Sequence, residues 1–294
     1  MSYTAARIVK NVLTTIQVLA PAEDAALQKQ TALLERLRGE ESLLVAFSGG
    51  ADSAYLAWAA HAALGERAHA ITALSPSFSR YDREQAEAFV AATEVLHEFI
   101  ETREFENPLY VVNGADRCFH CKDELFLRME AIARDRNFRA IAYGVNLDDT
   151  HDFRPGHRAA HKHRILAPLL DAQLCKAEVR LLSRLANLPT WDRPASACLS
   201  SRVPSGTAVT PELLERIERA EARLRELGFR QFRVRAHGEV ARIELAQDEL
   251  PRGIEMDVAS KIAPRFEELG FTNVMLDPEG YRQGSLNALL RKKY

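Results

Sequence analysis

From residue 43 onward the hydrophobic pattern switches repeatedly between short apolar runs and longer helical ones. Residues 43–47 are a continuous apolar run of strand length, and 51–64 an Ala-rich stretch of helical length. The alternation continues with a strand over 69–74, a helix over 82–95, a strand over 97–101, a helix over 119–135 and a strand over 140–143. Strands separated by helices of ten or more residues predict βαβ units with right-handed crossovers. The expected fold is α/β: a doubly wound parallel sheet.

The pattern changes after Pro194. Thr210-Pro211-Glu212 opens a helix: Thr can cap, Pro suits the first helical position, and an acid suits the positive end of the dipole. That helix runs to Leu227 and stops at Gly228. Strands over 231–236 and 240–245 flank a turn at His237-Gly238-Glu239. A helix over 255–269 ends at Gly270, and 272–276 reads as a further strand. This α-β-β-α-β order predicts a smaller C-terminal α+β domain with an antiparallel sheet. Pro189, Pro194 and Pro204 place the boundary between residues 186 and 205. The expected organisation is a helical arm over 1–40, a first domain over 41–194, and a second over 195–294 that serves the substrate and oligomerisation.

Composition narrows the class. The 294 residues are 47% hydrophobic, and 39 Lys and Arg against 41 Asp and Glu leave a net charge of −2. This excludes a disordered chain, a nucleic-acid coat and a polybasic membrane binder. Arg7 and Lys10, with no acid before Pro21, resemble a transit segment. Thr, Lys, Asn and Gln interrupt the apolar residues there, so a secretory core or membrane span is not expected, and the chain reads as cytoplasmic. Four cysteines are too few for a disulfide scaffold. Cys118 and Cys121 form C-x-x-C, Cys175 opens a helix through Leu185, and Cys198 follows in the boundary region. Such spacing favours metal or redox chemistry.

The sharpest signal is the run of residues 45–53, a strand leading through Ser48-Gly49-Gly50-Ala51-Asp52-Ser53 into a helix. Two glycines permit close backbone approach, Ser48 and Ser53 supply hydroxyls, and the helix N-terminus aims N–H groups at one place. This suits a polyphosphate, and Asp52 suits a bridging Mg2+. No Gly-Lys-Ser/Thr follows, so it is not a Walker A loop. A turn that binds nothing is the plain alternative.

Cys118 and Cys121 alone fit a zinc half-site or a redox pair better than a cluster. Arg233 and Arg235 share a strand face by period 2, forming either an anion clamp or a solvated face. Lys122 on its own reads as a solvated helix lysine. His151, His157, His161 and His163 lie among Arg154, Arg158, Lys162 and Arg164, which reads as a positive loop near a nucleotide. Cys175 reads as a helix-terminal thiol without chemistry.

The S-G-G-x-D-S segment resembles the PP-loop ATP pyrophosphatases. With Asp116-Arg117-Cys118-Phe119-His120-Cys121-Lys122, Asp152-Phe153-Arg154-Pro155-Gly156 and the segment from Pro194 to Arg202, the chain is similar to LarE-type sulfur transferases of nickel-pincer nucleotide synthesis. Gly206-Thr207, Arg233-Val234-Arg235, residues 241–244 and Gly280-Tyr281-Arg282 extend the similarity. The resemblance implies that ATP adenylates a carboxylate of a pyridinium dicarboxylate mononucleotide, pyrophosphate leaves, and sulfur displaces AMP. It implies ATP and Mg2+ at Ser48, Gly49, Gly50, Asp52, Ser53 and Gly144, and catalysis at Cys118, Cys121, Cys198, Lys122 and Asp52. It also implies substrate contacts at Ser201, Arg202, Glu221, Arg233 and Arg235. Members with three such cysteines imply a [4Fe-4S] cluster on Cys118, Cys121 and Cys198; single-cysteine members imply sacrifice of one thiol, here Cys198. The implied partner is a small mononucleotide, with no nucleic acid or membrane, and the implied assembly is a homo-oligomer such as a hexamer. A tRNA thiolase, a nucleotide sensor and an amide synthetase are the rival readings. The low net charge, the acid in the loop and the absence of a glutaminase region speak against them in turn.

Overall fold

The computed structural model describes residues 21–151, 155–194 and 196–282. Residues 1–20 of the expected arm, Arg154 in its D-x-R-P-G setting, and the basic tail at 291–293 lie outside the described residues. The chain runs through α1 (Pro21–Arg38), β1 (Leu43–Ala46), α2 (Ala51–Leu64), β2 (Ala68–Leu74), α3 (Arg80–Thr93) and β3 (His97–Glu101). It continues through α4 (Pro108–Val111), α5 (Arg117–Asp135), β4 (Ala140–Tyr143), α6 (Pro155–Lys162), α7 (Pro168–Asp171) and α8 (Lys176–Leu185). The first four strands form a parallel sheet in the order β3-β2-β1-β4.

Side chains of β1 alternate between two buried layers. Leu43 and Val45 join α1, α2 and α8 in one core, whereas Leu44 meets Phe126, Met129 and Ala159 of α5 and α6 in another. A strand buried on both faces reads as a continuous apolar run, which is why β1 is so plain in the sequence. Residues 21–38 of the expected arm are built into the first layer, with Ala26, Leu33 and Leu37 fully buried. Helix α3 starts two residues ahead of expectation because Ser79 Oγ accepts the Asp82 N–H at 3.0 Å. Strand order reverses at β1, so a crevice opens at the carboxyl ends of β1 and β4, where such sheets hold ligands.

The second sheet follows through α9 (Pro211–Glu226), β5 (Phe232–His237), β6 (Val240–Leu245), α10 (Leu250–Gly253), α11 (Met256–Glu267) and β7 (Asn273–Leu276). Thr210 Oγ1 caps α9 through the Leu213 N–H, and Gly238 turns the β5–β6 hairpin at a φ of +64°. The sheet was expected to be antiparallel but is mixed. Helix α11 returns the chain across the face, so β7 enters parallel to β6. One face is apolar, with Val234, Ala236, Ile243 and Leu245 packed against Leu214, Ile217 and Phe266. The opposite face buries Arg233, Arg235 and Glu244.

Candidate active site

The loop after β1 is closed by its own hydroxyls. Ser53 Oγ accepts the Ser48 N–H at 3.1 Å, lies 3.1 Å from Ser48 Oγ, and donates to Gly50 O at 3.1 Å. Gly49 sits at a φ of +72°, a conformation that favours glycine. Gly144, just past β4, touches the start of α2: a Cβ there would lie 2.7 Å from Ser53 N and 2.9 Å from Asp52 C. Its smallness therefore sets how closely the β4 end approaches the start of α2.

Asp52 has two unequal oxygens. Oδ2 pairs with Lys176 Nζ at 3.0 Å, while Oδ1 is buried with no hydrogen-bond partner. Lys176, the first residue of α8, is held in turn by its N–H to Asp148 Oδ2 at 2.6 Å. Sequence reasoning missed Lys176, whose only signal was its place beside Cys175 at a helix start. Cys175 is the N-cap of α8, as expected of a helix-terminal thiol, and Glu178 completes its capping box.

The three other cysteines come from two segments. Cys118 and Cys121 stand one turn apart at the start of α5, with Cys118 exposed and Cys121 half-buried. Cys198 is exposed and precedes a short 3-10 turn over Leu199–Arg202. Arg117 binds the segments together, donating to Asn113 Oδ1 at 2.5 Å and Ser200 O at 2.7 Å. Tyr110 Oη adds a 2.7 Å bond with Ser200 Oγ, and Asn113 Nδ2 donates to Pro204 O at 2.8 Å. Burial opposes the charge of Arg117, but the neighbouring Cys198 and Cys118 outweigh it and raise its pKa. Burial likewise pushes the Cys121 thiol well up, reinforced by Glu104, Cys198 and Cys118. Among the described residues no three His, Cys, Asp or Glu side chains converge as ligands of a single metal ion.

Lys122 points toward the β4 end. Its aliphatic stem passes Gly156, where a Cβ would lie 2.7 Å from Cδ, and its Nζ sits 4.7 Å from the Tyr143 ring centre. Lys122 thus packs by the end of β4, whose next residue, Gly144, packs against Asp52 and Ser53, and it follows Cys121 in α5.

The expected substrate residues gather on the charged face of the second sheet. Arg202 and Glu221 are buried and bidentate, with Nε–Oε1 at 2.8 Å and Nη2–Oε2 at 3.0 Å. Glu221 also accepts the Val234 N–H, and Arg202 donates to Ala197 O, Cys198 O and Ser201 Oγ. Arg235 pairs with Glu244 at 2.8 Å and reaches Ser201 O at 2.7 Å. Arg233 stacks 5.0 Å from the Tyr281 ring. Burial and then the neighbouring Arg202 lower its pKa. An arginine whose charge is disfavoured by burial and by a neighbouring cation favours an arriving anion. Of the His-rich stretch, Arg158 and Lys162 lie over the Phe119 ring, and His163 is held between Asp123 and Glu130. Residues 155–162 of that expected loop are helical.

Comparison with known proteins places relatives across bacteria and archaea. An uncharacterized protein of Synechocystis is 42% identical over 263 residues, 88% of this chain and 98% of its own. The pyridinium-3,5-bisthiocarboxylic acid mononucleotide synthase of Lactiplantibacillus plantarum is 30% identical over 267 residues, 90% of this chain and 95% of that enzyme. An uncharacterized protein of Methanocaldococcus jannaschii is 28% identical over 172 residues, 58% of this chain and 66% of its own. No family model matches the chain.

Proposed function

The chain belongs to the LarE-type family of sulfur transferases, and on that premise we propose that it converts ring carboxylates of a pyridinium-3,5-dicarboxylate mononucleotide to thiocarboxylates, using ATP, for nickel-pincer nucleotide synthesis. The observation that carries the reading is a juxtaposition. The Ser48–Ser53 loop meets the end of β4 through Gly144, Lys122 packs by Tyr143 at that same end, and Arg117 ties the Cys118–Cys121 helix to the Cys198 segment, which the buried Arg202 and Arg235 hold.

The ring carboxylate oxygen attacks the α-phosphorus of ATP, the bond to the β-phosphate breaks, and pyrophosphate departs. Backbone N–H groups at the start of α2, with Ser48 and Ser53, hold the departing charge. Lys176 supplies a cation beside Asp52 for the same phosphates. Asp52 Oδ1, buried and without a partner, fits a hard cation; Mg2+ held there would neutralise phosphate charge. Lys122 stabilises the adenylate, and Arg202, Arg233 and Arg235 orient the mononucleotide phosphate. A sulfur nucleophile then attacks the acyl carbon and AMP leaves.

The sulfur arrives at Cys118, Cys121 and Cys198. A single ion needs ligands converging on one point, within about 2.3 Å of it for thiolates. A cubane instead offers three separate irons to three thiolates, so the cysteines need only ring a shared volume. Cys118 and Cys121, one turn apart at the start of α5 and tied to the Cys198 segment through Arg117 and Ser200, suit that donor set. A [4Fe-4S] cluster held there by Cys118, Cys121 and Cys198 would supply the sulfur. The exposed Cys198 also favours a second reading, in which its own sulfur is surrendered.

The test is exchange of labelled pyrophosphate into ATP, dependent on the dicarboxylate mononucleotide, followed by mass spectrometry of product and protein. Exchange and a product heavier by about 16 Da per carboxylate are expected. No substrate-dependent exchange would overturn the adenylation. Loss of H2S from Cys198 after turnover would select sacrifice, and an intact Cys198 the cluster.

A further inference from the structure

Arg193 lies in the segment between α8 and Cys198, and none of the chemistry above uses it. Its side chain is 9% exposed. Nη1 donates to Gly49 O at 2.6 Å, and Nη2 to Asp82 Oδ1 at 2.6 Å. Its own carbonyl accepts Arg180 Nη2 of α8 at 2.6 Å. The Gly49 carbonyl belongs to the same planar peptide as the Gly50 N–H, so the two point in opposite directions. A guanidinium fixed on that carbonyl fixes the direction of the N–H and polarises it as a donor.

The same arginine reaches the sulfur side through Asp82. Ser196 Oγ donates to Asp82 Oδ1 at 3.0 Å, sharing the oxygen that Arg193 uses, while Ser79 Oγ holds Oδ2 at 2.6 Å. Three residues on, the Leu199 N–H donates to Ser77 O at 2.9 Å, just ahead of α3, on which Asp82 stands. A chain of short hydrogen bonds therefore runs from Gly49 through Arg193, Asp82 and Ser196 to the backbone around Cys198.

We propose that Arg193 is a positioning residue with two linked tasks. It orients the Gly49–Gly50 peptide toward the nucleotide phosphates, and it couples occupancy of that loop to the Cys198 segment through Asp82. The proposal rests on the reading that residues 48–53 bind nucleotide. It implies that the sulfur-bearing segment settles only when the loop is filled.

Hydrogen exchange by mass spectrometry on the full chain tests it, with Mg2+ and a non-hydrolysable ATP analogue as the probe. In the wild type, exchange should slow several-fold both at 47–53 and at 199–203. In S196A the loop should still be protected while the response at 199–203 disappears. In R193K both responses should shrink, and affinity for the analogue should fall roughly ten- to hundredfold, as expected for a lost charged hydrogen bond. Protection at 47–53 with none at 199–203 in the wild type overturns the coupling alone. Equal responses at 199–203 in wild type, S196A and R193K overturn it too. No protection at 47–53 in the wild type overturns the nucleotide reading itself.

Discussion

The two sheets of this protein bury opposite things. The parallel sheet is apolar on both faces, with Leu43 and Val45 on one side of β1 and Leu44 on the other, and its chemistry hangs from its carboxyl end. The mixed sheet is apolar on one face only; its other face takes Arg233, Arg235 and Glu244 out of water and lies against the Arg202–Glu221 pair. Burying apolar area stabilises by roughly 25 cal/mol per Å2. Burying an ion costs several kcal/mol that a partner must offset. On the proposed function, the parallel sheet is a scaffold with its site at the tip, whereas the mixed sheet carries its site within a buried face.

Cutting a buried pair is the strongest way to break that contrast. Glu221→Ala leaves Arg202 buried beside Arg233 without its carboxylate, and should cost about 3–5 kcal/mol. The double variant R202M/E221L should regain most of that stability without regaining substrate binding. Urea unfolding measures the first result and calorimetric titration of the mononucleotide the second. A cost below about 1 kcal/mol for E221A would show that this face is not held by its ions.

At the tip of the parallel sheet the opposite outcome is expected. Asp52→Asn keeps shape but removes the charge beside Lys176 and a hard-cation ligand at Oδ1. Turnover should fall about a hundred- to thousandfold, in the range seen when one electrostatic contact to developing charge is lost. The melting temperature should barely move. A large loss of stability with unchanged pyrophosphate exchange would reverse the roles assigned to the two regions.

Gly144→Ala probes where tip and scaffold meet. The added carbon would fall 2.7 Å from Ser53 N, against backbone that cannot swing aside. Overpacking of this kind costs about 1–3 kcal/mol, and the displaced α2 start should weaken binding of an ATP analogue in step. Loss of stability with unaltered affinity would separate Gly144 from the loop.

What could be read from the sequence divides along the same line. The strand, loop and helix over residues 43–64 are local, so their apolar run, glycines and hydroxyls stand next to one another in the chain. Thr210 and Gly238 were legible for the same reason. Lys176 meets Asp52 across 124 residues, and Arg117 meets Ser200 across 83; no spacing announces such pairs. Arg202 and Arg235 were recognisable as anion-binding candidates, but their bonds to Glu221 and Glu244 depend on the register of β5 with β6 and on the docking of α9. The direction of β7 was lost because a strand of four residues carries no mark of parallel or antiparallel pairing.

Acid should undo the parallel sheet first. His97 on β3 sits edge-on to Phe47 and Phe99, with Nε2 2.8 Å from Thr72 Oγ1. Burial, and then the charge of His69, lower its pKa to about 4, against weaker opposition from Glu98 and Glu87. A folded-state pKa below the unfolded value of about 6.5 means that the stabilisation is full above pH 6.5 and drains as pH falls from there through 4. His69 on β2 shifts the same way, also chiefly by burial. On the mixed sheet His237 shifts downward too, but at the exposed end of the hairpin. Glu221 in its interior is held below the usual carboxylate range, where burial is outweighed by Arg202. Its contribution is present above the unfolded carboxylate value and is lost only at more acidic pH. Between pH 6.5 and 4.5, amides of β2 and β3 should therefore lose exchange protection before those of β5 and β6. His97→Phe, which keeps an aromatic ring between Phe47 and Phe99, should flatten the melting temperature across that window. If β5 and β6 open first, or if H97F leaves the slope unchanged, the parallel sheet is not the acid-sensitive half.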